Sequence, residues 1–227
     1  MDEGNWAANV NRLHVNGGRQ DKAFNVEGRR VAGPQQGFGR LYDRTFAIDL
    51  GDAVTPEVLV RDWRAHFGNF WPKSATFYGS SMSIEAGDVA PLTASGITTG
   101  VLVIYADDTS FSYMTPEGHM FAGMITFSAR HEDAGTVAEI RMLVRPADPL
   151  WVMVWPVGRG MEGKFWKGTL KNLAATYGVT GVPASELTVC VDARTLWKNW
   201  RNVFRNGGLA TARHAIARPF RRGQKSG

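Results

Sequence analysis

An α+β domain, in which a curved antiparallel sheet grips one long helix, is the architecture predicted for this 227-residue chain. Three observations predict it. A run of short apolar stretches separated by polar turns fills the middle of the sequence, and one long stretch with helical spacing follows it. The connections are short, so neighbouring strands pair mostly antiparallel and the helix has to cover their apolar face. The length, with 44% hydrophobic and 11% aromatic content, supports one good core and is short for two.

The first forty residues are rich in Asn, Gly, Arg and Gln, with "VNGGRQ" and "VAGPQQGFG" as turn signals, and read as a flexible N-terminal segment, 1–40. The folded domain is placed at 41–179. It starts with "LYDRTFAIDL", whose β-branched and aromatic content marks a strand. In "TPEVLVRDWRAHFG", Thr55 caps a helix and Pro56 fits its first position, where a missing N–H costs nothing. Leu59, Trp63 and Phe67 recur every four residues as its buried face, and Gly68 ends it.

After "NFWPKS" come six more strands, at about 75–79, 82–86, 98–105, 109–115, 120–129 and 136–145, which makes seven. The last is the clearest: Ala138, Ile140, Met142 and Val144 alternate with Glu139, Arg141, Leu143 and Arg145. Alternation points the first set inward and sends Arg141 and Arg145 to a solvated face with Glu139. "ADD" and "HEDAG" are hairpin turns by composition.

Asp148 and Pro149 would start a helical turn, but "LWVMVW" at 150–155 is apolar on every side and is followed by Pro156, a break. It is far too short to span a bilayer. The long helix is expected at 160–177, with Trp166, Leu170, Leu173 and Tyr177 at helical spacing and Gly178 terminating it.

The net charge of +5 hides an asymmetry. Residues 1–40 carry six basic against four acidic side chains, residues 41–192 eleven against seventeen, and residues 193–227 nine against none. The high pI belongs to the tail. The lone Cys190 excludes a disulfide within the chain, and the first thirty residues hold no apolar run that would serve as a leader, so a cytoplasmic setting is the default expectation.

"GPQQGFGRLYDRTFAI", "TGVLVIYADDTSFSYMTPEGHMFAGMITFSA" and "FWKGTLKNLAATYGV", with the element order above, resemble segments of bacterial, chiefly actinobacterial, members of the SRPBCC superfamily. This is the helix-grip group that includes START-like and Bet v 1-like proteins and polyketide cyclases. The resemblance covers about residues 31–179. It implies a seven-stranded antiparallel sheet curved around a long C-terminal helix, enclosing a mostly hydrophobic cavity. The residues it implies as ligand-binding are Phe111, Tyr113, Phe121, Ile125, Phe127, Ile140 and Met142 from the sheet, with Trp166 and Leu170 from the helix. One clear helix and an aromatic linker stand where the group has a pair of short helices.

Two readings of those large side chains stay open: they wall a pocket for a lipid- or polyketide-sized molecule, or they simply fill the core. "TPEGH" is open in the same way. His119 would be a general acid or base, with Glu117 orienting it and Tyr113 as a donor at the cavity rim, in a cyclase- or dehydratase-like reaction. Alternatively Pro116 and Gly118 merely reverse the chain. The histidines at 14, 66, 119, 131 and 214 have no metal-site spacing, no G-x-S-x-G elbow is present, and "GQKSG" lacks the glycine and strand of a phosphate loop. No metal and no cofactor is expected.

Residues 180–227 form a basic amphipathic C-terminal extension, expected to be helical. Leu196, Trp197, Trp200, Val203 and Phe204 fall on one side, with Lys198, Arg201 and Arg205 among the polar positions. This stripe either docks on the domain or lies on an anionic membrane, with Trp197, Trp200, Phe204, Arg201 and Arg205 in contact. Nucleic-acid binding has no recognisable fold or motif behind it. The leading expectation is a carrier or presenting protein for an apolar small molecule or lipid.

Overall fold

The computed structural model describes residues 2–15, 19–79 and 84–222. Eight strands form one antiparallel sheet: β1 (Leu41–Asp49), β2 (Ala75–Phe77), β3 (Val89–Ala94), β4 (Ile97–Ala106), β5 (Ser110–Met114), β6 (Phe121–Glu132), β7 (Gly135–Pro146) and β8 (Ser185–Asp192). Their spatial order is β2-β3-β4-β5-β6-β7-β1-β8. Helix α1 (Pro56–Ala65) and the long helix α2 (Pro149–Thr176) cover one face, and α3 (Gly207–Arg222) follows a 3₁₀ segment, Trp197–Arg205. The fold is a helix-grip α+β fold with eight strands where seven were expected.

The local signals explain most of this. Thr55 caps α1 through Val58 N–H and Pro56 occupies its first turn. Leu59, Trp63 and Phe67 are all buried, although Phe67 lies just past the helix in a short 3₁₀ turn. Strands β4 to β7 fall within a few residues of their expected limits.

Four expectations need correction. The strand expected at 82–86 is not where its neighbour β3 runs; residues 82 and 83 lie outside the described residues, and Glu85 belongs to a turn that its backbone N–H closes on Asp88. Strand β3 contains Pro91, normally an argument against a strand. Its carbonyl accepts from Tyr78 N at 2.9 Å, so its missing N–H faces the three-residue edge strand β2 and interrupts no central ladder.

The long helix begins at Pro149, not near residue 160. Asp148 caps it, accepting from Leu150 N at 2.9 Å and Trp151 N at 3.1 Å, and it passes through Pro156 unbroken. Pro156 removes the bond to the carbonyl of Val152, and both residues are exposed, so water can serve that carbonyl.

Strand β8 lies inside the expected tail. It pairs with β1, from Ala47↔Ser185 to Leu41↔Asp192. Lastly, Arg141 is outward and pairs with Asp43, as alternation requires, but Arg145 is fully buried. It sits on the outer face, beneath Gly37 and Gly39, donating to the Gly39 carbonyl at 2.9 Å and to Asp192 at 3.0 Å. A Cβ on Gly37 would lie 2.5 Å from the Arg145 side chain, so only glycine lets the chain cross there.

Residues of the N-terminal segment lie on the outer face of the sheet. Leu13, Val15, Ala23 and Val26 are buried against Leu102 of β4. Asn25 donates to Thr98 O at 2.8 Å and to Gly207 O at 3.1 Å, which ties this segment to β4 and to the start of α3.

Candidate functional site

The interior between sheet and α2 is where the candidate ligand residues meet. Cross-strand register sets them side by side: Phe111 faces Phe127, Tyr113 faces Ile125, and Ile125 and Phe127 face Met142 and Ile140. Trp166 and Leu170 come down from α2, and with Phe121 all nine belong to one buried cluster. The rings of Phe111 and Phe127 stack at 4.9 Å, and Trp166 meets Phe127 at 5.6 Å.

More aromatics enter this space than the sequence alone assigns to it. Phe67 places its ring 5.0 Å from Phe127, 5.2 Å from Tyr113 and 5.5 Å from Phe111. Trp63, Trp71, Trp155 and Phe165 join the same cluster. They add further ring-on-ring contacts there, Trp63 with Phe127 at 5.4 Å and Trp71 with Phe165 at 5.4 Å. A partly open hollow of about 50 Å³ lies nearby, lined by Phe77, Ile84, Asp88, Ala90 and Val103 among others. It holds water-sized occupants, not a polycyclic molecule.

The packing is nevertheless chemically incomplete. Among the described residues, the indole N–H groups of Trp63, Trp71 and Trp155, the hydroxyl of Tyr113 and that of Thr99 are buried without a hydrogen-bond partner. Thr99 shares the inner face of β4 with Val101 and Val103. Burial, then the charge of Asp88, pushes the Tyr113 hydroxyl well above its ordinary value, with Arg64 opposing, so it stays a donor.

The three candidate catalytic residues are not joined. His119 is buried, and its Nδ1 accepts from Phe121 N at 3.0 Å, which fixes the turn. Burial lowers its pKa to about 4, so it is neutral at pH 7. Glu117 accepts from Arg205 at 2.9 Å instead of orienting His119. Tyr113 lies among Phe67, Phe77, Phe111 and Phe127, whereas the ring beside His119 is Phe121.

A charged cluster under α2 is absent from the sequence-based expectations. Arg44 is fully buried, donating to Glu186 at 2.8 Å, to Thr188 at 3.3 Å, to the Arg159 carbonyl at 3.2 Å and to Glu162. Its guanidinium also lies over the rings of Phe46 and Trp155. Burial raises the Glu162 pKa to about 7, with Arg44 pulling the other way. The signal is present in "LYDRTFAIDL", where Arg44 alternates in phase with the inward Phe46 and Ile48. Every nitrogen of Arg44 is engaged within the chain, so the cluster fastens α2 and β8 to β1.

In the tail, the three-residue period of the 3₁₀ segment stacks Asn199, Asn202 and Arg205 on one ridge. That polar ridge docks: Asn199 donates to Gly37 O at 2.7 Å and Asn202 to Ala147 O at 2.8 Å. The aromatic side chains are outside, with Trp197 71% and Phe204 78% exposed and Trp200 less so, although Trp197 touches Phe38 edge-on. Arg201 lies over the Trp200 ring at 5.6 Å. Among the described residues no group of His, Cys, Asp and Glu could hold a metal ion, and no helix is long and apolar enough to cross a membrane.

Comparison with known proteins finds structural likenesses at low identity. Protein Ms6760 from Mycobacterium smegmatis is 12% identical, with 59% of this chain and 89% of that one covered at a TM-score of 0.44. The di-domain ARO/CYC StfQ from the steffimycin biosynthetic pathway is 12% identical, with 62% and 53% covered at 0.45. Ara h 8.0201 is 16% identical, with 60% and 97% covered at 0.41. No curated protein matches the sequence. A family model does match, over residues 57–172, from the start of α1 through most of α2, and the chain therefore belongs to the family described as domain of unknown function DUF1990.

Proposed function

We propose that the protein binds an apolar small molecule bearing acceptor oxygens between the sheet and α2, and that the aromatic packing parts to admit it. The observation that carries this reading is the set of unpartnered donors, Trp63, Trp71, Trp155 and Tyr113, gathered in one aromatic cluster. A buried donor left unmade costs about 1–3 kcal/mol, and oxygen atoms of a guest would remove that cost while its flat apolar body replaced ring-on-ring contacts. Affinity would come mainly from desolvating the ligand, and the donors would set its orientation. The SRPBCC resemblance of residues 31–179 supports the same reading, as a carrier or presenting protein. The exposed, free Cys190 suits a reducing, cytoplasmic setting.

Titration with palmitate and with a hydroxylated anthraquinone, followed by intrinsic tryptophan fluorescence, tests it. Binding of at least one is expected. Tyr113→Phe, which keeps the ring and removes one donor, should weaken binding about tenfold, and Met142→Trp should block it. Circular dichroism checks that both variants stay folded. No binding to either probe, or equal binding by the protein and both variants, would overturn the proposal.

A further inference from the structure

The first half of α2 is apolar on all sides, yet it is not buried. A helix of that composition normally lies inside a protein or in lipid. Here Trp155 is the only buried residue between Pro149 and Met161. Met153 is 77% exposed and Val157 71%, and Leu150, Val154 and Met161 continue the same outward ridge. The 3₁₀ segment is fastened to the start of this helix. Asn202 donates to Ala147 O, and Asn206 to the capping carboxylate of Asp148 at 2.8 Å. Trp197, Trp200 and Phe204 are therefore exposed at the same end of the molecule as the α2 ridge.

Charge says what covers this end. Along α2 and the 3₁₀ segment the only carboxylate is Glu162, which is tied to Arg44 inside. The cations are Arg159, Lys164, Lys167 and Lys171 on the helix and Lys198, Arg201 and Arg205 on the segment. Lys167 and Arg205 have partners in Glu186 and Glu117. Arg159, Lys164, Lys198 and Arg201 have no ion-pair partner among the described residues. Exposed Trp, Phe, Met and Val rimmed by basic residues, with no helix among the described residues able to cross a bilayer, is the pattern of a surface that lies on an anionic membrane.

We propose that the first half of α2 and the 3₁₀ segment together form a docking face for an anionic lipid bilayer. The Met, Val and aromatic side chains enter the headgroup layer, and the basic rim meets the lipid charge. This reading is independent of ligand binding in the interior.

Flotation of the full chain with vesicles tests it, comparing phosphatidylcholine alone with a phosphatidylcholine and phosphatidylglycerol mixture. The protein should float with the mixed vesicles, and about tenfold less with neutral ones or at raised salt. The double variant Met153→Glu with Val157→Glu and the double variant Lys198→Glu with Arg201→Glu should each lose flotation by about tenfold. These are exposed positions, and circular dichroism confirms folding. Absence of flotation with the anionic vesicles, or flotation unchanged in both variants, would overturn the proposal. So would a dimer in sedimentation velocity that Val157→Glu alone converts to a monomer, since a second copy would then be the occupant.

Discussion

From Glu162 to Thr176, α2 turns Gly163, Trp166, Leu170 and Leu173 to the sheet and Lys164 and Lys171 to solvent. From Pro149 to Met161 the same helix inserts Trp155 between Tyr42 and Phe121 and turns Met153, Val154 and Val157 outward. The second half is an ordinary amphipathic helix held by burial. The first is held by its ends, through the Asp148 cap and the Arg44–Glu162 pair, with Trp155 buried between them and Trp151 packed against Ala32, Ala122 and Ala147. Continuity of hydrogen bonding carries a helix past the point where burial stops supporting it.

This contrast can be broken by substitution. Leu170→Ala removes a fully buried side chain and should cost about 2–5 kcal/mol, read from urea unfolding. Val157→Ala, the matching truncation on the exposed half, should stay within about 0.5 kcal/mol. Equal costs would mean that the first half is covered in solution.

Acid sharpens the contrast, because His119 fixes Phe121, against which Trp155 packs. Its pKa in the fold, about 4, lies below the ordinary 6.5, so neutral His119 contributes stability above about pH 6.5 that is lost as pH falls towards 4. At the limit the loss is about 3 kcal/mol. It should appear as a falling urea midpoint over that window, with the Trp155 indole resonance shifting first, and His119→Gln should flatten the pH dependence.

The third expected change is a gain. Pro156→Ala restores an N–H to the interior of the exposed half and should stabilise the chain by about 1–2 kcal/mol in the same urea assay. A loss there would show that the proline ring has a partner.

Much of the architecture is legible because alternation and spacing are local. Alternation alone places Ile140 and Met142 inward, and the four-residue step from Leu59 to Trp63 is enough to orient α1. What escapes depends on partners distant in sequence. Pro91 is tolerated because β2 is short, and Pro156 because its surroundings are open to water. Arg145 obeys alternation, but Gly37, Gly39 and Asp192 cover the face it points to. Strand β8 is readable from Leu187, Val189 and Val191, but the basic run after it draws the whole region into the tail. The interior aromatics are identifiable as neighbours, yet no pattern in the sequence reveals how much of the space between them Phe67 and Trp63 take up.

Strand β8 supplies a carboxylate to each fully buried arginine, Glu186 to Arg44 and Asp192 to Arg145. A chain cut after α2 would keep both cations in place and lose a counter-charge from each. The return of the polypeptide to the sheet is thus the step that makes the two interior guanidinium groups affordable, and the fold is electrically finished only when its last strand arrives.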